Sequence, residues 1–170
     1  MDEPKIYVAC LASYNNGILH GDWINVLNGV EHIEDRIHEI LQSSPIKGAE
    51  EYAIHDFDGF YGFNLSEWED VGSCFQMAEI IEKHGGLAGE VVQHYGIQLD
   101  EVDNFIENNL ICEADSEIEY AEQLFDDLYL HDIPDGAKYY IDYEAFCRDI
   151  FIDDYDAIAV DGKYYIFSNH

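Results

Sequence analysis

The N-terminal part of the chain alternates between the hydrophobic patterns of strands and of helices. The apolar run KIYVACL (5–11) predicts a buried strand, and EYAIHDF (51–57) predicts another. Between them, apolar residues recur with helical spacing from Val30 until the SSP sequence at 43–45, which predicts an amphipathic helix. These elements indicate a small α+β domain over residues 1–62.

The middle of the chain has only helical patterns. Ser66 and Glu69 have the spacing of a capping box, which predicts a helix start, and the pair Gly85-Gly86 predicts where that helix ends. Two shorter helical patterns follow. We therefore expect an all-helical domain over residues 63–109.

The C-terminal part returns to a mixed pattern. Ser116 and Glu119 form a second capping-box pattern, and another helix is predicted near 142–151. The sequence AIAV-DG-KYYIF (157–167) predicts a β-hairpin, because an Asp-Gly pair suits a type I′ turn. Residues 110–170 are thus expected to form a second α+β domain, and the whole chain is predicted to be an α+β protein of three small domains.

The composition of the chain is typical of a folded protein except for its large negative charge. The chain has 170 residues and is 48% hydrophobic, which is enough to fill a core and argues against disorder. It carries 37 acidic residues against seven lysines and arginines, a formal net charge of −30. Because such self-repulsion opposes compaction, a sequence that retains it needs a reason.

The acidic residues are densest in one predicted helix. Residues 113–135 contain nine carboxylates and no lysine or arginine. At about 100° per residue, four acids fall within an arc of about 60°: Asp115, Glu119, Glu122 and Asp126. A separate stripe of this helix is apolar: Ile118, Ala121, Phe125 and Leu128. The acidic row is expected to cost on the order of 1 kcal/mol by repulsion between like charges.

A solvated helix face is the ordinary interpretation of such a run. The helix dipole favours anions near the N-terminus, so Asp115, Glu117 and Glu119 need no functional explanation. The same dipole opposes Asp126 and Asp127 near the other end, where an ordinary surface would interleave lysines. The absence of lysines is therefore the informative feature.

Motifs for catalysis or metal binding are not found. The chain has no P-loop, no G-x-S-x-G and no H-E-x-x-H sequence, and its eight histidines lack ligand spacing. A partial calcium loop places Asp56, Asp58 and Glu67 at ligand positions but fails at Phe60 and Tyr61. We expect no enzyme activity and no cofactor. Direct binding of nucleic acid is disfavoured, because phosphates would meet repulsion.

Cellular location and redox state follow from simpler features. The acidic start MDEPKIYVAC is unlike a signal peptide, and no apolar run is long enough for a membrane span. The four cysteines are far apart with no C-x-x-C, which fits buried, reduced thiols. The sequence thus predicts a soluble, cytoplasmic protein without a membrane partner.

Two segments resemble a known family. KIYVACLASYNNGILHGDW (5–23), especially YNNGILHG followed by a tryptophan, resembles the N-terminal signature of the ArdA antirestriction proteins. The segment YIDYEAFCRDI (140–150), with a later tyrosine and a terminal YIF, is similar to a second family motif. Length, acidity and the three-part layout are similar as well, so the resemblance covers essentially the whole chain.

The resemblance implies a DNA mimic without catalysis. Such a protein would occupy the DNA-binding groove in the methyltransferase core of type I restriction-modification enzymes and protect incoming mobile DNA. The family fold is an elongated, curved subunit of three domains that forms a homodimer through the C-terminal domain. The expected DNA-mimic surface rests on helix geometry in this sequence and not on the family. It consists of ten acids: Asp115, Glu117, Glu119, Glu122, Asp126, Asp127, Asp132, Asp135, Asp153 and Asp154.

A second class of function stays open at the level of sequence. Scarce lysine and the partial calcium loop would also suit an acid-rich metal-binding or halophilic protein. A small hydrolase with paired carboxylates is a third possibility, but no motif supports it.

Overall fold

The computed structural model of the protein describes residues 2–169. Their contacts divide the chain into two compact units, residues 1–99 and 100–170. Each unit contains helices and one three-stranded antiparallel sheet, so the predicted α+β class is confirmed. The finer division into domains 1–62, 63–109 and 110–170 stays a prediction.

The first unit is built on a sheet in the order β2-β1-β3. Its strands are β1 (Lys5–Cys10), β2 (Gly21–Asn25) and β3 (Tyr52–Asp58), and both pairings are antiparallel. Ile6 and Val8 of the central strand are fully buried, as expected for alternate residues that face a core. The predicted strands at 5–11 and 51–57 are confirmed, whereas β2 was not predicted.

In the described part of this unit, residues 2–99, four α-helices accompany the sheet: α1 (Leu11–Asn15), α2 (Val30–Gln42), α3 (Val71–His84) and α4 (Leu87–Tyr95). A 3-10 helix, Val26–Asn28, precedes α2. Helix α2 buries Ile33, Ile37 and Ile40, which is the apolar stripe that its sequence spacing predicted.

The start of α3 differs from the prediction. Asp70 is the N-cap, and its carboxylate accepts the Ser73 N–H at 3.1 Å. The Glu69 carboxylate does accept the Ser66 N–H at 3.3 Å, but this contact closes a turn ahead of the helix. A capping box at Ser66 and Glu69 was therefore wrong as a helix start. The predicted end at Gly85 is confirmed, with a positive φ of 62° at the C-cap.

Within residues 100–169, the second unit contains three α-helices and three strands. In chain order they are α5 (Val102–Asn109), β4 (Leu110–Ala114), α6 (Glu117–Tyr129), α7 (Tyr143–Asp153), β5 (Tyr155–Val160) and β6 (Lys163–Ser168). Three 3-10 helices, Leu99–Glu101, Leu130–Asp132 and Asp135–Tyr140, complete the secondary structure between residues 99 and 169. The first of them begins one residue before the unit boundary.

The sheet of the second unit has the order β4-β6-β5. The predicted hairpin β5–β6 is confirmed, and its turn has positive φ at both central residues, 50° at Asp161 and 80° at Gly162, as a type I′ turn requires. Strand β4 was not predicted. The core between sheet and helices is formed by Tyr120, Ala121, Ile150 and Ile166.

One close backbone approach lies within the first unit. A Cβ added to Gly89 of α4 would lie 2.4 Å from the Tyr61 carbonyl oxygen and 2.7 Å from the Gly62 carbonyl carbon. Gly62 itself has a φ of +81°, which side chains disfavour. The helix can therefore pack against residues 61–62 only with a glycine at position 89.

We predict that Gly89→Ala destabilises the protein. Helix propensity alone would favour alanine by about 0.5–1 kcal/mol, but overpacking against a backbone costs about 1–3 kcal/mol. Urea unfolding followed by circular dichroism measures the balance. Gly136→Ala is the matched control, since a Cβ there would have no atom within 4 Å. A Gly89→Ala variant as stable as this control would contradict the packing argument.

Candidate functional site

The start of α6 holds its acids in a hydrogen-bonded arrangement. Ser116 is the N-cap, its hydroxyl accepts the Glu119 N–H at 3.1 Å, and the Glu119 carboxylate accepts the Asp115 N–H at 2.7 Å. The first bond satisfies one of the backbone N–H groups that a helix start leaves free. The predicted helix start at Ser116 is therefore confirmed, but the capping box is only half formed, because the Glu119 carboxylate binds the N–H of the residue before the N-cap.

Asp115 precedes the N-cap, so it does not belong to the helical row in which the sequence placed it. Its carboxylate instead accepts a hydrogen bond from the Lys163 ammonium of β6, whose Nζ also lies 3.5 Å from a carboxylate oxygen of Glu113. This hydrogen bond, together with the charge of Asp115, raises the pKa of Lys163. The lysine lies 48 residues further along the chain, and nothing in the sequence pattern pointed to the pair.

The apolar side of α6 fixes which acids face outward. Tyr120 and Ala121 are buried, and the Tyr120 ring packs edge-on against Tyr155 with centroids 5.2 Å apart. Leu128 was predicted to be in the apolar stripe, but half of its surface is exposed. Leu128 therefore lies outside the buried stripe, which includes Tyr120, Ala121 and the half-buried Leu124.

The remaining acids of α6 differ in how firmly they are held. The Tyr143 hydroxyl, at the start of α7, donates to the Asp126 carboxylate at 2.6 Å. In contrast, Glu117, Glu122 and Asp127 are exposed and have no ion pair among residues 2–169. Sequence reasoning had placed Tyr143 in a family motif but had not identified it as a partner of an acid.

These partners change the expected cost of the acidic row. Of its four members, Asp115 is paired with Lys163 and Asp126 accepts from Tyr143. Repulsion along the helix is left to Glu119, Glu122 and Asp126, and two of these three hold stabilising hydrogen bonds. The predicted cost of about 1 kcal/mol assumed four acids in one row, whereas only three of them lie in α6, and its size stays a prediction.

Two further acids lie in the segment between α6 and α7. Asp132 is 3.2 Å from the His131 ring, and Asp135 is 3.0 Å from the Lys138 ammonium. Both carboxylates are exposed, so these pairs contribute little to stability.

The last two acids lie at the C-terminal end of α7. Asp153 is its final residue and Asp154 its C-cap, and both side chains are exposed. Asn169 binds their backbone, with its N–H to the Asp154 carbonyl at 3.0 Å and its amide to the Asp153 carbonyl at 3.3 Å. The helix dipole disfavours carboxylates at this end, so helix stability does not explain them.

All ten residues predicted for the acidic surface are exposed, and all lie in the second unit. This unit has 20 acids and three lysines or arginines, a formal net charge of −17. The arrangement can attract a cationic surface at long range and bind it through many carboxylates. Their role as one binding surface stays a prediction.

The partial calcium loop takes a different conformation from that of a metal site. Asp56 and Asp58 lie on β3, and Asp58 is paired with Lys5 at 3.2 Å. Across residues 2–169, no group of three or more histidines, cysteines or carboxylates is placed to hold a metal ion. The same residues include no helix long and apolar enough to cross a bilayer.

The four cysteines are free, as the sequence predicted. Cys10 and Cys74 are buried, and burial raises the pKa of the Cys74 thiol to about 12. Cys112 and Cys147 are only half-buried, so the prediction of buried thiols was wrong for these two, and burial also raises the pKa of each. Cys74, Cys112 and Cys147 are thus poor nucleophiles near neutral pH.

Fold and site together define a class, namely an acidic α+β protein whose carboxylates face solvent. The chain matches the family model described as antirestriction protein (ArdA) over residues 6–165. Since this match spans nearly the whole chain, the protein belongs to the ArdA antirestriction family. Its function is antirestriction, and the family consists of inhibitors that interact with restriction enzymes. No curated protein matches the chain significantly.

The contact between α6 and α7 gives a pH-dependent prediction. The hydrogen bond to Asp126 raises the pKa of Tyr143, with smaller contributions from burial and from the charges of Asp126 and Glu122. Because the pKa of Tyr143 is higher in the folded protein than in the unfolded chain, its hydrogen bond to Asp126 stabilises the fold fully below the ordinary tyrosine pKa. This stabilisation is lost as pH rises through the pKa that Tyr143 has in the folded protein. We predict that Asp126→Asn lowers the pKa of Tyr143.

Nuclear magnetic resonance of tyrosine labelled at Cζ would follow this titration, with Tyr143→Phe to assign the resonance. Glu122→Gln, which removes a minor contribution, is the control and should lower the pKa less. Equal shifts in the two variants would show that the hydrogen bond is not the main cause.

Proposed function

We propose that the protein inhibits type I restriction-modification enzymes as a DNA mimic that occupies the DNA-binding groove of their methyltransferase core. The observation that carries the proposal is the set of ten exposed carboxylates in a unit with a formal net charge of −17. Membership of the ArdA family supplies the antirestriction function that this mechanism would serve. The protein would act in the cytoplasm and would protect the mobile DNA that carries its gene from restriction.

The spacing of the α6 carboxylates supports mimicry of a phosphate backbone. From Glu119 to Glu122 and from Glu122 to Asp126 the axial rise is about 4.5 and 6 Å. The rise between successive phosphates of one DNA strand is about 3.4 Å, which is of the same order. A groove that binds phosphates through lysine and arginine would therefore meet carboxylates at similar intervals.

Preorganisation of the acids supports the proposal further. Backbone and side-chain hydrogen bonds hold Glu119 and Asp126, so less conformational freedom is lost when they bind.

The charge of the protein also has consequences for how it would bind. Long-range attraction would raise the association rate, and added salt would weaken the complex. Because carboxylates present no base edges, inhibition should extend to enzymes with different recognition sequences.

Competition for a purified type I methyltransferase tests this function. We predict that the protein displaces a fluorescently labelled duplex, and that displacement weakens as salt rises. Replacing Glu117, Glu122 and Asp127 by their amides should weaken displacement, because these exposed acids have no ion pair of their own in residues 2–169. Fluorescence anisotropy at several salt concentrations measures both effects.

A charge-matched control separates position from total charge. Amide substitution of Glu31, Glu79 and Glu82 removes three exposed acids from α2 and α3 of the first unit. This control should displace the duplex nearly as well as the wild type. Undiminished duplex binding at a large excess of wild-type protein would refute the proposed function.

The same proposal includes a homodimer formed through the second unit. Supporting it are exposed apolar side chains in that unit, with Tyr139 at 91%, Tyr140 at 87% and Ile152 at 66% exposure. Contact with a second copy would remove them from water. Sedimentation equilibrium should then give twice the chain mass of 19.5 kDa, and a single-chain mass at micromolar concentration would contradict the dimer.

A further inference from the structure

A cavity of about 340 Å³ lies beside the first residue of β3 in the first unit. Its lining consists of two aromatic side chains and four glutamates: Glu50, Glu51, Tyr52, Glu67, Trp68 and Glu69. Trp68 is 64% exposed, an unusual state for the largest apolar side chain. The volume is at the lower end of the range for ligand pockets.

Hydrogen bonds fix the walls of this cavity. The Leu11 N–H donates to the Glu51 carbonyl at 3.0 Å, and the Ile54 N–H donates to the Glu67 carbonyl at 2.9 Å. On the same side, the Glu69 carboxylate accepts the Ser66 N–H. Glu67 and Glu69, the neighbours of Trp68 in sequence, are thus held by hydrogen bonds to the sheet and to a turn, so their positions are ordered.

The other tryptophan of the chain provides an internal comparison. Trp23 also lines a cavity with acidic residues, and there the chain supplies its own cation. The Lys5 ammonium lies 5.4 Å from the centroid of the Trp23 ring and 3.2 Å from the Asp58 carboxylate. The Trp23 ring face and the Asp58 carboxylate thus bind the same lysine, the first through a cation–π contact and the second through an ion pair.

The Trp68 cavity has the same chemistry without an internal cation. No lysine or arginine lines it, and within residues 2–169 its four glutamates form no ion pair and its indole bears no cation. The chain has only seven lysines and arginines against 37 acids, so a second copy is a poor source of one. Charge complementarity points to a basic side chain of another protein.

We propose that the Trp68 cavity receives an arginine side chain of the inhibited restriction enzyme, an inference that rests on the proposed function. A guanidinium is planar, so it stacks on an indole while its N–H groups bind carboxylates at its edge. Glu67 and Glu69, which line the same cavity and are the neighbours of Trp68 in sequence, would supply those carboxylates. A stacked cation is a contact that phosphate mimicry alone does not provide, and it makes the first unit a second point of attachment.

A peptide titration tests the cavity without the enzyme. Trp23→Phe leaves Trp68 as the only tryptophan in the chain, so its fluorescence reports on the cavity. Addition of tetra-arginine, acetylated and amidated at its ends, should change this emission with saturation, at lower concentration than the equivalent tetra-lysine. In the reverse variant, Trp68→Phe, the remaining Trp23 should show no saturating change over that range, because Lys5 already covers its ring.

Competition against the labelled duplex on the methyltransferase tests the cavity in the complex. Trp68→Ala should weaken displacement by about tenfold, since a partly desolvated cation–π contact has roughly that value, and Trp68→Phe should weaken it less. Neutralising Glu50, Glu51, Glu67 and Glu69 together should weaken it more than the charge-matched set Glu31, Asp35, Glu79 and Glu82, which are exposed on α2 and α3. Melting curves would confirm that each variant is folded.

The outcomes separate the cavity from DNA mimicry in general. If the cavity set and the charge-matched set weaken displacement equally, and Trp68→Ala has no effect, the arginine proposal is overturned while mimicry stands. If lysine and arginine peptides bind equally well, the assignment to arginine is overturned. If the wild type fails to displace the duplex, the proposed function fails, and the peptide titration alone decides whether the cavity binds arginine.

Discussion

Mutual repulsion among carboxylates is the constraint on which this structure depends. A chain with a formal net charge of −30 must keep its acids in water and still bury enough apolar surface to fold. Two small cores achieve this, each between one face of a three-stranded sheet and amphipathic helices. Among the buried residues described, Ser13 is the only polar one, so burial is left to apolar side chains and the acids stay outside.

Elements with strong local patterns could be predicted from the sequence, and elements set by pairing could not. Helix α2 has a periodic stripe, and the Asp161-Gly162 turn specifies its own hairpin. Strand β4, in contrast, follows α5 with no intervening loop and alternates between half-buried and exposed residues. Its place beside β6 depends on pairing with residues 50 to 57 positions further along the chain, which no local period records.

The candidate site likewise has features that could be predicted from local sequence and features that could not. The N-cap at Ser116 and the acidic face of α6 follow from local sequence and helix geometry, so they were predictable. The pairs of Lys163 with Asp115 and of Tyr143 with Asp126 join different elements and appear only in the fold. The Trp68 cavity was not predicted because its lining comes from two segments that are apart in sequence, AEEY (49–52) and SEWED (66–70). Each segment alone has only an ordinary acidic composition, and the two meet only at the edge of the folded sheet.

In the proposed binding to a basic groove, the acids with internal partners and the acids without them would contribute in different ways. Asp126 and Glu119 are held in position, which lowers the entropic cost of binding, but each already shares its charge with a donor of the chain. Glu117, Glu122 and Asp127 keep their full charge for a partner but must be ordered when they bind. A surface of only the first kind would be rigid and weakly charged, and one of only the second kind would be charged and disordered. Alternation of both along one helix gives a stable array that still has unpaired charge, which the proposed mimicry of a phosphate backbone would require.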